Sequence, residues 1–337
     1  MKHLPFLLSL ENSPDVIETL KREFELKPYE VDKAKSLLEK GYPPLVRAEM
    51  LAYMLGVSNG LIVSLSKFQE KNYRIYEVKK AGGGTRVIEA PRSYLKMVQR
   101  WIYDYVLSRA ELPEYITGFV PGKDIFGNAN IHLKIKKKNL MVVDIKDFFP
   151  SISERRVFRV LREFGFPVRV SYRLAGLCTL EKRLPQGAPT SPMLANIAFL
   201  PVDLRLEELA RTWGCAYSRY ADDIAFSGEE MFSRKDMDEV VRIIRDEGFE
   251  INDRKSRIVG SGGRQVLAGL GVNQIGKPLR KRRMFWRSRF RHAEKAPREF
   301  LDKVDELKGI VAYINQYDNE LAKKYSEVIE NIERCEK

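Results

Sequence analysis

Residues 216–228, with the sequence AYSRYADDIAFSG, place two adjacent carboxylates between two apolar runs. Short apolar runs on either side of a tight turn predict a β-hairpin with Asp222 and Asp223 at its tip. Adjacent carboxylates repel each other, so they destabilise a fold unless a cation or a basic partner compensates their charge. An Asp-Asp pair alone is usually a solvated turn, but here the apolar strands fix the turn against a core. The hairpin tip is therefore a candidate cation site.

A third carboxylate, Asp144, lies near the end of the run LMVVDI at residues 140–145. The β-branched, apolar residues of this run predict a buried strand. Hard carboxylate oxygens on neighbouring strands suit Mg²⁺, and two such ions can align an attacking hydroxyl with a leaving phosphate oxygen. We therefore expect the fold to bring Asp144, Asp222 and Asp223 together around two Mg²⁺ ions, for which Mn²⁺ can substitute.

The charge balance favours a polyanionic partner. The chain has 337 residues, with 59 Lys and Arg against 46 Asp and Glu, for a net charge of +13. When surplus Lys and Arg side chains neutralise the phosphates of a nucleic acid, condensed counterions are released, which favours binding. A generic basic protein would have the same composition. Two basic stretches, 134–138 and 280–283, suit phosphate contacts, and Trp286 and Phe290 near the second suit base stacking. Alternatively, each stretch is simply a charged surface in contact with solvent.

Patterns of apolar residues divide the chain into helical and strand-forming regions. Residues 1–70 predict helices, and residues 73–80 and 85–90 alternate as expected for a hairpin with a glycine tip. The chain is basic and helical from about residue 280 onwards. Strands and helices interleave without a regular βαβ period, so the sequence predicts an α+β architecture.

The patterns of cysteine, histidine and apolar residues argue against several kinds of site and several classes of protein. The three Cys and three His residues lie far apart, so neither a zinc site nor a disulfide framework is expected. No apolar run approaches the length of a membrane span, and the short N-terminal apolar run lacks a small-residue cleavage site. We therefore expect a cytoplasmic protein that does not enter a membrane.

Four segments occur in order along the chain: VVDIKDFFPSI, LPQGAPTSPMLANI, SRYADDIAFS and EGFEINDRKSRIVG. Together they resemble the successive palm motifs of reverse transcriptases. The resemblance implies a right-hand polymerase with a small N-terminal helical region at 1–70, fingers at 71–140, a palm at 141–260 and a helical, basic thumb at 261–337. The palm would contain an inserted fingers segment at about 150–190. The implied activity is RNA-directed DNA synthesis by two-metal nucleotidyl transfer.

The resemblance also assigns catalytic roles. Asp144, Asp222 and Asp223 match the metal ligands of the family. Lys255, in INDRKS, matches a lysine proposed to protonate pyrophosphate, and its alternative interpretation is a solvated surface lysine.

Five residues match positions that contact the incoming dNTP in the family: Lys80, Arg86, Phe149, Gln186 and Gly187. Phe149 has the position of the aromatic gate that excludes a ribose 2′-hydroxyl, and its alternative interpretation is an ordinary core aromatic beside Phe148. Arg86 suits a bidentate phosphate contact. Lys79 could take the place of Lys80 on the same hairpin.

A local motif is similar to bacterial retron enzymes, because residues 128–132 read as N-A-x-x-H. The thumb strand departs from that pattern: retron enzymes usually have Val-Thr-Gly there, and this chain has Leu-Ala-Gly. The resemblance implies RNA or primer contacts from these segments and from the basic thumb cluster, namely from Asn128, His132, Leu267, Ala268, Gly269, Arg280, Lys281, Arg282 and Arg283.

The retron resemblance implies several partners. They are a structured non-coding RNA that serves as template and primer, its DNA product, dNTPs and a separate effector protein in anti-phage defence. DNA synthesis would begin from an internal guanosine 2′-hydroxyl of that RNA. The alternatives are another bacterial reverse transcriptase, such as a group II intron-like enzyme, a palm-fold metal nuclease or cyclase, and a catalytically silent RNA-binding protein.

Overall fold

The computed structural model describes residues 15–79, 83–135, 139–273 and 276–335. The first half of the chain contains α1 (Asp15–Phe24), α2 (Pro28–Glu39), α3 (Met50–Leu55), α4 (Asn59–Lys67), β1 (Tyr73–Lys79), β2 (Thr85–Pro91), α5 (Ser93–Tyr105), α6 (Ile125–Leu133), β3 (Asn139–Asp144), α7 (Glu154–Glu163) and α8 (Val168–Cys178). The second half contains α9 (Ser191–Thr212), β4 (Ala216–Tyr220), β5 (Asp223–Gly228), α10 (Arg234–Asp246), β6 (Arg257–Val259), β7 (Val266–Leu267), β8 (Leu270–Gly271), β9 (Lys277–Pro278), α11 (Arg280–Lys295), α12 (Val304–Asn315) and α13 (Asn319–Arg334).

The chain forms two compact units that are interleaved in sequence. Unit 1 comprises Met1–Glu114, Ile145–Leu204 and Asp246–Glu250. Unit 2 comprises Tyr115–Asp144, Arg205–Arg245 and Ile251–Lys337.

Unit 1 contains the N-terminal helices, the β1–β2 hairpin, α5, α7 and α8. The buried residues Leu95, Val98 and Ile102 recur at helical spacing along α5, so one face of this helix joins the core. Gln99 is buried on the same helix and donates hydrogen bonds of 2.8 Å to the Tyr73 hydroxyl and to the Leu177 carbonyl oxygen. A single amide therefore ties α5 to the base of the hairpin and to α8.

Unit 2 is built around an antiparallel sheet with the strand order β4-β5-β3-β6. All six residues of β3 are buried, as expected for a strand with a neighbour on each side. On one side of the sheet, α6 and the small β7-β8-β9 sheet supply apolar partners. The resulting core cluster consists of Phe126, Ala129, Leu140, Val142, Ala225, Leu267, Leu270 and Val272.

The C-terminal helices of unit 2 form a second core cluster, contributed by α11, α12 and α13 and the 3-10 helix Pro297–Lys303. Phe290 of α11 and Tyr325 of α13 stack with their ring centroids 3.9 Å apart. Since stacked aromatic pairs add stabilisation beyond the burial of their area, this contact fixes α11 against α13.

Most predicted elements are present, including the hairpins at 73–90 and 216–228 and the strand that ends at Asp144. The helix α10 ends at Asp246, two residues before Gly248. Gly248 has a φ of 76° and lies just beyond the helix, because a left-handed glycine terminates the helix rather than continuing it.

Candidate active site

Asp144 and Asp223 lie directly opposite each other on the adjacent strands β3 and β5. Residues paired in this way have Cα atoms about 4.5–5.5 Å apart. Tyr220 pairs with Asp223 across β4 and β5, so Ala221 and Asp222 form the two-residue turn of the hairpin. The fold of unit 2 thus brings Asp144, Asp222 and Asp223 to one end of the sheet, although they are far apart in sequence.

The carboxylates at this end of the sheet influence each other electrostatically. The pKa of Asp223 is raised to about 6, first by burial and then by the negative charges of Asp222 and Asp144. Lys255 and Arg257 partly offset this increase. Such an excess of partly buried negative charge is the environment that a cation stabilises.

Lys255 supplies a positive charge next to these carboxylates. Its Nζ lies 2.7 Å from Oδ2 of Asp144, whose side chain is only 4% exposed. The segment that carries Lys255 is fixed to β3, because Asn252 N–H donates to the Asp144 carbonyl oxygen and Asp144 N–H donates to Ser256 Oγ. The hydrogen bond to Asp144 is the main cause of the raised pKa of Lys255, so the amine stays protonated.

Two residues without a predicted role, Arg219 and Gly118, hold the hairpin turn in place. Arg219 is fully buried, and its Nη1 donates a 3.1 Å hydrogen bond to the Ala221 carbonyl oxygen. Ala221 has a φ of 57°, a conformation that favours glycine in such a turn. A Cβ at Gly118 would lie 2.3 Å from the backbone nitrogen of Ala221, so the turn packs directly on this glycine. The available sequence signal was a charged residue, Arg219, within a strand next to the turn.

Asn128 and His132 of the N-A-x-x-H motif lie in the interior of unit 2. Asn128 Oδ1 accepts a 3.0 Å hydrogen bond from Thr117 Oγ1. The two ring nitrogens of His132 lie 2.7 Å from the hydroxyls of Ser227 and Ser218, which belong to β5 and β4. A direct RNA contact by these side chains would require α6 to leave the sheet, so the geometry favours an internal role.

Four of the predicted nucleotide contacts, Arg86, Phe149, Gln186 and Gly187, belong to unit 1. Arg86 is exposed on β2, whereas Phe149 and Gln186 are partly buried. Gly187 has a φ of 136°, and a Cβ there would lie 2.9 Å from the Glu89 carbonyl oxygen, so both conformation and space require glycine. Lys80 lies outside the described residues, and its alternative Lys79 is exposed at the end of β1.

The predicted thumb contacts fall on a tight turn and on a helix. Leu267 pairs with Leu270, so Ala268 and Gly269 form a two-residue turn in which both have positive φ. This conformation explains why glycine is present at position 269. Arg280, Lys281, Arg282 and Arg283 are exposed at the start of α11. Within the other basic stretch, 136–138 lie outside the described residues.

Arg282 packs over two aromatic rings. Its guanidinium carbon lies 5.0 Å from the ring centroid of Trp286 and 5.3 Å from that of Tyr313. Such cation–π contacts orient the guanidinium group without neutralising its charge. The start of α11 therefore presents a positive surface on which the Arg282 guanidinium is oriented by its aromatic neighbours.

Two absences hold for the part of the chain that the structure describes. No group of three or more His, Cys, Asp and Glu side chains is arranged there as a ready-made metal site. Within the same ranges, no helix is long and apolar enough to cross a membrane. The residues at the sheet end nevertheless suit a hard cation, because the partly buried Asp223 lies near two further carboxylates and Lys255 already pairs with one of them.

Comparisons with known proteins identify the family of this chain. The family model "Reverse transcriptase (RNA-dependent DNA polymerase)" matches residues 78–291. The retron Mx65 reverse transcriptase of Myxococcus xanthus is 33% identical over 311 residues, which cover 86% of this chain and 72% of that protein. The retron Mx162 enzyme of the same organism is 31% identical, over 86% of this chain and 67% of that protein. The retron Ec86 enzyme of Escherichia coli is 35% identical, over 60% of this chain and 63% of that protein.

Among solved structures, a telomerase from Candida albicans in complex with a telomeric RNA fragment matches with a TM-score of 0.42. It is 11% identical, over 77% of this chain and 59% of that chain.

The family match and the retron relatives confirm the predicted α+β right-hand polymerase fold and the predicted RNA-directed DNA polymerase activity. They also establish an RNA template as partner and a general dependence on divalent metal ions. The alternatives of a metal nuclease, a cyclase or a silent RNA-binding protein are thereby set aside. The chain belongs to the reverse transcriptase family and, within that family, to the bacterial retron type.

Proposed function

We propose that Asp144, Asp222 and Asp223 hold two Mg²⁺ ions for nucleotidyl transfer onto a primer hydroxyl. The observation that carries this proposal is the direct pairing of Asp144 with Asp223 at the strand ends, next to the turn that contains Asp222. When bound, the ions would activate the attacking hydroxyl and stabilise the leaving pyrophosphate. The protein contributes one buried and two partly buried carboxylates on two strands and the turn beside them, which would fix the ligand oxygens before substrate arrives.

Lys255 is proposed to act as the proton donor to the pyrophosphate. Its Nζ lies 2.7 Å from Asp144 Oδ2, this hydrogen bond raises the pKa of the amine above its usual value, and its side chain is 58% exposed. A protonated, solvent-accessible amine beside the metal ligands can transfer a proton to a leaving group.

Selection of the incoming dNTP is proposed to depend on unit 1. Arg86, with Lys79 or Lys80, would bind the triphosphate, and Gln186 and Gly187 would contact the nucleotide through the loop between α8 and α9. The ring of Phe149 would exclude a 2′-hydroxyl. Support comes from the exposure of Arg86 and Lys79, from the partial exposure of Phe149 and Gln186 and from the close backbone approach at Gly187.

The RNA partner is proposed to be a structured non-coding RNA that also primes synthesis from an internal guanosine 2′-hydroxyl. The exposed basic start of α11 and the turn at 268–269 would contact this RNA. Retron-type relatives support this assignment, and an effector protein with a role in anti-phage defence is part of the same proposal. The segments 1–70, 71–140, 141–260 and 261–337 are proposed as N-terminal region, fingers, palm and thumb.

The test of the catalytic proposal is dNTP incorporation on a primed RNA template by the full chain with Mg²⁺. Asp222→Asn is expected to reduce the rate by roughly 10²–10³ or more, since it removes a charged ligand at the reacting centre. RNA affinity and the unfolding midpoint should stay close to wild type. Asp253→Asn is the matched control, because Asp253 is an exposed carboxylate in the segment that carries Lys255. Equal activity of the two variants would contradict the proposal.

A further inference from the structure

Glu89 of β2 is a buried carboxylate that none of the roles described above uses. It is 5% exposed and lies on the same strand as Arg86. Its two oxygens accept a pair of hydrogen bonds from Arg183: Nη1 lies 2.9 Å from Oε2, and Nη2 lies 2.7 Å from Oε1. Bidentate pairs of this kind fix both distance and orientation.

The same glutamate also binds the loop that contains Gln186. Glu89 Oε2 accepts a 3.1 Å hydrogen bond from the Gln186 backbone N–H. In return, the Glu89 backbone N–H donates a 2.8 Å hydrogen bond to the Gln186 carbonyl oxygen. Gly187 then lies so close to the Glu89 carbonyl that a Cβ would not fit. The loop is therefore docked along the edge of β2.

Backbone hydrogen bonds also connect Leu184, the residue after Arg183, to the segment of Phe149. The Leu184 N–H donates to the Ile152 carbonyl oxygen at 3.0 Å, and the Ile152 N–H donates to the Phe149 carbonyl oxygen at 3.1 Å. A continuous series of hydrogen bonds within unit 1 therefore joins the segment of Phe149, the loop of Gln186 and the strand of Arg86.

Arg183 is held in position by a tight turn. Residues Glu181 and Lys182 both have positive φ, of 49° and 60°, and the Arg183 N–H donates to the Leu180 carbonyl oxygen at 3.0 Å. Glu181 also lies 3.2 Å from Arg183, but its side chain is 57% exposed, so this contact is screened by solvent. The buried Glu89 is the main partner of the guanidinium group.

Burial alone would raise the pKa of Glu89. The hydrogen bonds from Arg183 and from the Gln186 N–H have a larger combined effect, so the pKa of Glu89 lies below its usual value. The carboxylate is therefore ionised at neutral pH and bonded through both oxygens. Loss of either partner would leave a buried charge without compensation.

We propose that Glu89 and Arg183 are a positioning pair that holds the Arg86 strand and the Gln186 loop in one geometry for dNTP binding. The inference rests on the proposed nucleotide-binding roles of Arg86 and Gln186. Neither Glu89 nor Arg183 needs to touch the nucleotide, since the pair acts through the loop and the strand that it joins.

The experiment is single-nucleotide incorporation on a primed RNA template, with kcat and KM for the dNTP measured separately. Glu89→Gln is expected to raise KM by about tenfold with a smaller effect on kcat, because a charged hydrogen bond of the positioning pair is lost. Glu77→Gln is the matched control, since Glu77 is an exposed carboxylate on the other strand of the same hairpin. Affinity for the primed RNA should not change in either variant.

A second variant keeps the test valid if Glu89→Gln loses stability. Arg183→Lys retains both charges and removes only the bidentate geometry, so it should raise KM with an unfolding midpoint close to wild type. The two substitutions combined should raise KM no more than Glu89→Gln alone, because they disrupt the same contact. An unchanged KM in Arg183→Lys, or a full sum of the two effects, would overturn the inference.

Two further variants, Arg86→Ala and Gln186→Ala, distinguish a failure of the positioning pair from a failure of the proposed nucleotide-binding roles. If neither changes KM for the dNTP, the proposed nucleotide-binding roles are wrong. If both raise KM whereas Glu89→Gln and Arg183→Lys do not, those roles hold and the positioning pair is wrong.

Discussion

A Cβ on Gly118 would lie 2.3 Å from the backbone nitrogen of Ala221, so the hairpin turn that contains Asp222 packs directly on a glycine backbone. The neighbouring residue Thr117 reinforces this contact, because its N–H donates to the Arg219 carbonyl oxygen at 2.9 Å. The position of Asp222 and Asp223 therefore depends on a segment that carries no chemistry of its own.

Gly118→Ala is expected to displace the turn and to reduce dNTP incorporation by roughly 10²-fold, in line with the sensitivity of catalytic geometry to a small misplacement. The unfolding free energy should fall by about 1–3 kcal/mol, as for other overpacked sites. Incorporation assays and urea unfolding measure both effects. Gly309→Ala is the control, since a Cβ at Gly309 meets nothing within 4 Å. Wild-type activity of Gly118→Ala would show that the turn does not need this close approach.

His132→Ala is expected to lower the unfolding free energy by about 2–4 kcal/mol, because it leaves a cavity and two buried serine hydroxyls without their partner. RNA affinity of the folded fraction should stay close to wild type if the side chain acts only inside unit 2. Urea unfolding and an RNA-binding titration on the same preparation measure the two quantities. A loss of RNA affinity at unchanged stability would instead support the direct RNA contact that the motif predicts.

Phe149→Val is expected to lower the preference for dNTPs over rNTPs by about tenfold or more, because a smaller side chain leaves room for a 2′-hydroxyl. Competition between labelled dNTPs and rNTPs on one template measures the ratio. Phe158→Val is the control, since Phe158 is a partly buried aromatic residue of unit 1 that packs on Tyr172. A ratio that stays at the wild-type value would indicate that Phe149 is a core aromatic.

Salt dependence tests the basic start of α11. Lys281→Ala is expected to reduce the slope of log affinity against log salt by about 1, because one phosphate contact is removed. Lys235→Ala, at an exposed lysine of α10, should leave the slope unchanged. Equal slopes for wild type and Lys281→Ala would place the RNA elsewhere on the protein.

The Glu30–Arg47 pair predicts a pH dependence of stability in the N-terminal helices. The pKa of Glu30 is lowered from 4.5 to about 2, mainly by its hydrogen bonds to Arg47, whose Nε and Nη2 each lie 2.7 Å from a carboxylate oxygen. A lowered pKa stabilises the fold fully above pH 4.5, and this stabilisation is lost as the pH falls towards about 2. The stability difference between wild type and Glu30→Gln should therefore narrow below pH 4.5. A difference that does not vary with pH would exclude this linkage.

The sequence was sufficient to predict the elements that carry the carboxylates. The runs around Asp222 and before Asp144 have the length of strands, and the run before Asp144 is apolar with two adjacent Val residues, as expected for a buried strand. The sheet places these strands side by side. Their order along the chain also matched the reverse transcriptase motifs, so the family could be predicted before the fold was known.

The supporting contacts could not be predicted, because they join segments that are distant in sequence. Glu89 and Arg183 are each common surface residue types, and only the docking of the loop on β2 buries Glu89 and pairs it with the partly buried Arg183. Gly118 resembles any loop glycine until the turn packs on it. Asn128 and His132 formed a recognisable motif, but their burial depends on how α6 packs against the sheet.

The central claim is that Asp144, Asp222 and Asp223 hold two divalent ions at the end of the sheet. Anomalous diffraction from crystals of the enzyme with primed RNA, a non-hydrolysable dNTP and Mn²⁺ tests it most directly. We expect two Mn²⁺ peaks bounded by these three side chains, and their loss in Asp144→Asn crystals grown in the same way. Peaks bound by other residues, with none at these carboxylates, would contradict the account.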